Sequence, residues 1–159
     1  MDIEGLGEAV IDQLADSGLV KTPADIYALE VHQLAELERL GERSANNIIS
    51  AIEGSKNNEL YRLIIALGIR HIGKRAAKLL AERFGSIDAI MNASFNEINS
   101  IDGFGEIMSQ SVVEYFSLPQ TKEYISLLGS YGVALSEEIA VKSSSLSGLT
   151  FVITGVLPS

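Results

Sequence analysis

Leu67-Gly68-Ile69-Arg70-His71-Ile72-Gly73-Lys74-Arg75-Ala76-Ala77-Lys78-Leu79-Leu80 decides the fold. The left half spells a tight turn with two isoleucines that can tuck beneath it, closed by Gly73. The right half has helical spacing at Ala76, Leu79 and Leu80, so the turn opens straight into an amphipathic helix. It also gathers Arg70, Lys74, Arg75 and Lys78 into a density of positive charge that the rest of the chain lacks.

The stretch is one of four related copies. Gly7, Gly41, Gly73 and Gly105 stand 34, 32 and 32 residues apart. One residue before each glycine is a large apolar side chain: Leu6, Leu40, Ile72 or Phe104. Four before is another: Ile3, Leu37, Ile69 or Ile101. Two before stands Gly5, Arg39, His71 or Gly103, so the outer copies are Gly-x-Gly turns and the inner two keep only the second glycine. Four after stands Ala45, Ala77 or Ser109, with Ile11 breaking the pattern in the first copy. A single Gly-x-Gly means little, but four anchor glycines in one register, each with apolar residues four and one before it, describe a repeat. A reversal between helices needs positive φ somewhere, and the anchor glycines are the expected residues for it. The small residue one turn later lets the preceding segment pack closely on the new helix.

Between the anchors the chain reads as further short helices. Thr22-Pro23 with Asp25 starts one, expected to run from Asp25 through Leu34. Gly85-Ser86 is a stop followed by a new cap, and Ser94-Phe95-Asn96-Glu97 spells a capping box. Tyr61 to Leu67, apolar almost all round, is expected to be buried. A last helix begins at Pro119, with Gly129 and Gly132 ending it. Ser143-Ser144-Ser145 is then a connector, and Thr150–Thr154, ended by Gly155 and Pro158, reads as one strand that enters another domain. The expected fold is all-α over 1–139, a bundle of short helices with one trailing β-strand. A linker at 140–147 and the opening of a second domain at 148–159 complete it.

The chain of 159 residues is 47% apolar and can bury a core. It has no cysteine, which excludes disulfides and thiolate zinc ligands within it. Neither a long apolar span nor a leader-like segment is found, so a soluble intracellular chain with no membrane partner is expected. The net charge of −9 argues against nucleic acid until its distribution is read. Residues 1–60 hold 12 acidic and 4 basic side chains, residues 61–84 hold one acid against six bases (net +5), and residues 85–159 hold 8 acidic and 2 basic.

A turn that delivers the chain into a helix aims several backbone N–H groups one way, at the positive end of the helix dipole, which suits a phosphate oxygen. Glycine lets the backbone itself make the contact. Such contacts ignore base identity, so a set of them recognises backbone shape. The expected DNA-binding residues are Gly5, Gly7, Gly41, Arg43, Arg70, His71, Gly73, Lys74, Arg75, Lys78, Gly103 and Gly105. The residue after each anchor is Glu8, Glu42, Lys74 or Glu106, so the third copy should carry most of the side-chain attraction, the second should help through Arg43, and the outer two should rely on amides. No phosphate loop, His-Glu-x-x-His helix or other catalytic constellation is visible, so no catalytic, cofactor-binding or metal residue is assigned.

The four anchors spell helix-hairpin-helix motifs, and their order resembles the carboxy-terminal part of the bacterial NAD-dependent DNA ligases. Met1–Gly7 is similar to the segment that follows that family's four-cysteine zinc site. Leu37–Ala45, Ala66–Gly73 and Ile101–Gly105 resemble its second to fourth hairpins, and the four hairpins fall near 3–9, 37–45, 69–77 and 101–109. Leu146–Gly155 is similar to the opening strand of its BRCT domain, with Thr154-Gly155 in an anion-binding turn. The resemblance implies a module that grips the minor-groove side of nicked duplex DNA in replication and repair, in the bacterial cytoplasm at the nucleoid. It implies a parent enzyme that uses NAD, a divalent metal such as Mg and a structural Zn. The adenylated lysine, the NAD pocket and the zinc cysteines belong to segments upstream, so this chain alone should be inactive and free of cofactors. Two other readings are a tandem helix-hairpin-helix module of another repair or recombination protein, and a helical protein-interaction domain without DNA binding. The implied partners are nicked or duplex DNA and the parent's remaining domains, with self-association through the tail strand a further expectation.

Overall fold

Apolar residues recur at helical spacing and stop at each turn, and the chain folds accordingly into short helices. The computed structural model describes residues 1–138. In chain order these form α1 (Glu8–Asp16), a 3-10 helix (Pro23–Ala28), α2 (Val31–Ala35), α3 (Glu42–Ser55) and α4 (Leu60–Ala66), and then α5 (Lys74–Phe84), α6 (Ile87–Asn92), α7 (Phe95–Asn99), α8 (Glu106–Ser117) and α9 (Pro119–Ser130). Thr150–Thr154, the Ser143–Ser145 connector and the whole of 139–159 lie outside the described residues.

Three pairs of consecutive helices pack on each other across a hairpin: α2 on α3, α4 on α5 and α7 on α8. In the first hairpin Met1–Leu6 lead into α1. Inside the bundle Leu14, Leu34, Ile64, Leu80, Ile87 and Val112 have no exposed surface. Each such side chain contributes about 1.5–3 kcal/mol on burial against about 1 kcal/mol for a typical cap, so the apolar pattern sets the fold and the caps set where elements begin.

Two expectations are corrected. The helix expected from Asp25 through Leu34 is two elements, because Leu29 turns extended (ψ 143°) to bury its side chain and Glu30 starts α2. The segment Tyr61–Leu67 is not buried all round. Leu60, Leu63 and Ile64 face the core, but Ile65 is 38% exposed, so α4 is a one-sided helix. Gly85, by contrast, is the expected left-handed stop (φ 69°), and Pro119 does open the last helix. That helix runs through Gly129 to Ser130.

The segment after α9 closes the bundle. Ala134 N–H donates to the Lys56 carbonyl (2.8 Å), Ile87 N–H to the Leu135 carbonyl (2.8 Å) and Glu137 N–H to the Gly85 carbonyl (2.9 Å). The Glu137 carboxylate accepts from Leu60 N–H at 2.9 Å and so caps α4 from 77 residues away. These bonds tie the α3–α4 and α5–α6 junctions together and hold the third hairpin's two helices at both ends.

Candidate nucleic-acid interface

All four hairpins are built by the same bond. Leu6 N–H donates to the Ile3 carbonyl (3.2 Å), Leu40 to Leu37 (3.2 Å), Ile72 to Ile69 (3.1 Å) and Phe104 to Ile101 (3.0 Å). The third residue of each turn is left-handed: Gly5 (φ 87°), Arg39 (φ 62°), His71 (φ 65°) and Gly103 (φ 94°). This corrects the expectation for the anchor glycines. Gly7, Gly41, Gly73 and Gly105 have φ between −79° and −117° with extended ψ, a conformation open to any residue. Positive φ is needed two residues earlier, and in the inner hairpins a side chain adopts it.

One helical turn beyond the anchors, the small residues pack as their spacing indicates. Ala45, Ala77 and Ser109 have no exposed surface, and their N–H groups donate back to the Gly41, Gly73 and Gly105 carbonyls at 2.9, 2.9 and 3.0 Å.

The helix starts differ in how they are capped, and α9, which opens at Leu118-Pro119, has no side-chain cap. At α6 the Ser86 hydroxyl accepts from Ala89 N–H (3.0 Å), and at α7 Ser94 and Glu97 cap each other's backbone. Gln33 accepts from Glu30 N–H (2.8 Å) at α2, and Asp25 accepts from the amides of Thr22 (2.7 Å) and Lys21 (2.8 Å) at the 3-10 helix. The Thr22 and Lys21 amides hold the Asp25 carboxyl below its usual range. By contrast α1, α3, α5 and α8, the helices that leave the hairpins, have glycine as cap and no side-chain cap bond. Among the described residues no side chain accepts from their first-turn N–H groups.

A Cβ built on Gly7, Gly41, Gly73 or Gly105 meets nothing within 4 Å. Neither backbone conformation nor interior contact demands glycine at the anchors.

The hairpins pair. A Cβ on Gly5 would lie 2.8 Å from Ile48 Cγ1 on α3, so the first hairpin sits against the helix that leaves the second. A Cβ on Gly103 would lie 3.6 Å from Leu79 Cδ1 on α5, the same relation between the fourth hairpin and the helix after the third. Each pair leaves a surface groove. Glu4, Gly5, Leu40, Ser44 and Ile48 line the first. His71, Gly73, Lys74, Arg75, Leu79 and Gly103 line the second, which is the more cationic.

The structure brings His71, Gly73, Lys74, Arg75 and Gly103 together along that second groove, and Gly105 begins the helix beside it. Arg70 faces the neighbouring side, in a depression shared with His71 and Ile107. Among the described residues Arg43, Arg70, Lys74 and Arg75 are exposed and in no ion pair. Lys78 points elsewhere: its Nζ lies 4.9 Å from the centre of the Tyr61 ring, a cation–π contact to α4. Gly5, Gly7, Gly41 and Arg43 belong to the first pair. Two exposed residues of this surface are not singled out by the sequence. Ile107 is 69% exposed in the first turn of α8, two residues after its anchor as Arg43 and Arg75 are after theirs. Arg39 is the other; its register beside His71 is visible in the chain, its left-handed backbone is not.

Among the described residues no three His, Asp or Glu side chains converge as metal ligands, and with no cysteine in the chain the residues present do not suit a zinc or magnesium site. No described helix is long and apolar enough to cross a membrane.

The fold is an all-α bundle of helix-hairpin-helix repeats. A model described as "SAM-like Helix-hairpin-helix tandem" matches residues 1–53, and one described as "Helix-hairpin-helix motif" matches residues 62–125, one for each pair of hairpins. Over nearly its whole length the chain is similar to proteins named DNA ligase. It is 50% identical over 157 residues to that of Caldicellulosiruptor saccharolyticus, covering 99% of this chain and 23% of the relative. It is 46% identical over 160 residues to that of Desulforamulus reducens (99% and 24%) and 45% identical over 163 residues to that of Anoxybacillus flavithermus (100% and 24%). The chain therefore spans about a quarter of the length of the curated relatives it matches.

Proposed function

We propose that this chain is the DNA-gripping part of a bacterial NAD-dependent DNA ligase, holding the duplex backbone on its minor-groove side around a nick. The observation that carries the reading is the contrast between helix ends. Among the described residues the four helices leaving the hairpins have no side-chain cap and begin behind a glycine whose Cβ position meets nothing within 4 Å, while α6 and α7 are capped by serines and α4 by Glu137. Bare amides at a helix start bind phosphate oxygens, and glycine lets the backbone approach them. The similarity to DNA ligases supplies the context.

In this reading Gly5, Gly7, Gly41, Gly73, Gly103 and Gly105 shape the amide sites, and Arg43, Arg70, His71, Lys74 and Arg75 add charge, with Lys78 a lesser contributor from its seat on Tyr61. Adenylation from NAD, the magnesium-dependent steps and the structural zinc belong to the parent's other domains, which are this module's partners in the bacterial cytoplasm, and the chain alone seals no nick. The segment Leu146–Gly155 opens a BRCT domain.

The test is binding of nicked duplex across a salt series, with Gly73→Ala alongside. Binding should be independent of sequence and weaken as salt rises. Gly73→Ala should change unfolding stability by no more than about 1 kcal/mol, yet weaken binding about tenfold by holding phosphate off the amides. Absence of binding at low salt, or full affinity in Gly73→Ala, overturns the reading in favour of a protein-interaction domain.

A further inference from the structure

Arg39 lies in the acidic half of the chain, at the tip of the second hairpin, and holds a left-handed backbone (φ 62°). The same turn position is glycine in both outer hairpins, and glycine takes this conformation without the Cβ clash that an arginine bears. Nothing among the described residues accounts for the arginine. Its side chain is exposed, and among the described residues it has no ion pair, no hydrogen bond and no aromatic neighbour. Glu38 and Glu42 are close in sequence, and neither pairs with it.

The fold nevertheless fixes the conformation. Gln13, on α1, grips the backbone of the preceding residue from both sides: its Oε1 accepts from Glu38 N–H at 2.8 Å, and its Nε2 donates to the Glu38 carbonyl at 3.4 Å. The turn bond from Leu40 to Leu37 closes the other side. Strain of this kind persists where surrounding structure over-determines it.

The register says what the arginine is for. The two hairpin pairs match, with the Gly5–Ile48 approach in one answering the Gly103–Leu79 approach in the other. In that match Arg39 corresponds to His71 and Arg43 to Arg75, so the inner hairpin of each pair presents side chains two residues before and two after its anchor. We propose that Arg39 is a DNA-phosphate contact, a second cation of the first pair, aimed outward by the left-handed turn and flanking the start of α3 together with Arg43. The module then grips the duplex at two places, one on each pair. The proposal rests on the DNA-binding reading above and is separable from it.

The experiment measures nicked-duplex affinity across salt and thermal unfolding for the parent chain, Arg39→Gly, Arg39→Lys and the Lys74→Glu/Arg75→Glu variant. Arg39→Gly should raise Tm by about 2–4 °C through relief of the turn, while weakening binding roughly three- to tenfold and lowering the salt slope by about 0.9. Arg39→Lys should keep the parent's salt slope. A more stable protein that binds less well separates contact from architecture, because a merely structural residue would move both in one direction. If Arg39→Gly binds with the parent's affinity and slope while the Lys74/Arg75 variant fails, the proposal falls and the DNA-binding reading stands. If the parent itself does not bind at low salt, both fall. Loss of the salt slope in Arg39→Lys equal to that in Arg39→Gly also overturns the assignment of a charge contact.

Discussion

At the residue scale, Gly5 and Gly103 hold the same turn position for different reasons, and one methyl group tells them apart. Both have positive φ, which costs an alanine about 1–2 kcal/mol. At Gly103 the added Cβ would rest 3.6 Å from Leu79 Cδ1, an ordinary contact. At Gly5 it would press to 2.8 Å on Ile48 Cγ1, and Ile48 is only 4% exposed and has little room to move. Overpacking adds about 1–3 kcal/mol there. Denaturant unfolding should therefore show Gly5→Ala losing at least about 1 kcal/mol more than Gly103→Ala; equal losses would mean the first hairpin does not sit on α3 as described. Sequence alone marks both glycines, but it points to Gly7 and Gly105 for the positive φ. The turn's handedness is fixed by the bond from each −1 amide to the −4 carbonyl, which spacing does not reveal.

At the scale of elements, the caps hold a prediction in pH. Asp25 accepts from the Thr22 and Lys21 amides, and those bonds lower its folded-state pKa. A carboxyl with a lowered folded pKa gives stability that is present above its unfolded pKa and lost as pH falls through the folded one. Asp25→Ala should therefore melt below the parent at neutral pH, and the gap should close as pH drops below the ordinary carboxylate range. A gap that stays constant down to strong acid would show that the side chain acts through something other than these bonds. Cap spellings are legible in the sequence: Ser94 with Glu97, Gly85 before Ser86 and Pro119 each sit at the expected place. The break between the 3-10 helix and α2 is not legible there. Tyr27 and Leu29 are both buried, each 9% exposed, and Leu29 goes extended to reach the core, a requirement of packing that periodicity cannot express.

Over the whole molecule, the balance of charge makes the last prediction. The chain repels DNA at long range with a net charge of −9, so any attraction has to be local. Lys74 and Arg75 stand on the groove of the second pair, exposed and without ion pairs among the described residues. Replacing both by glutamate should cost about 2–4 kcal/mol of binding, or roughly 30- to 1,000-fold, with helicity unchanged by circular dichroism. Glu8→Lys, on an outer hairpin that offers amides, should leave affinity within about threefold. Equal effects at the two sites would refute the division of labour between hairpins. The repeat, its small buried residues and its one basic copy were determined by the sequence itself, because they are patterns of size, polarity and charge along the chain. Which turn residue is left-handed, that hairpins sit in two matching pairs, that Lys78 turns back to Tyr61 and that Arg39, at a strained tip, has no ion pair among the described residues were decided only by the tertiary structure. Those facts depend on contacts between residues distant in sequence, such as Gln13 with Glu38 and Gly5 with Ile48, and no local pattern encodes them.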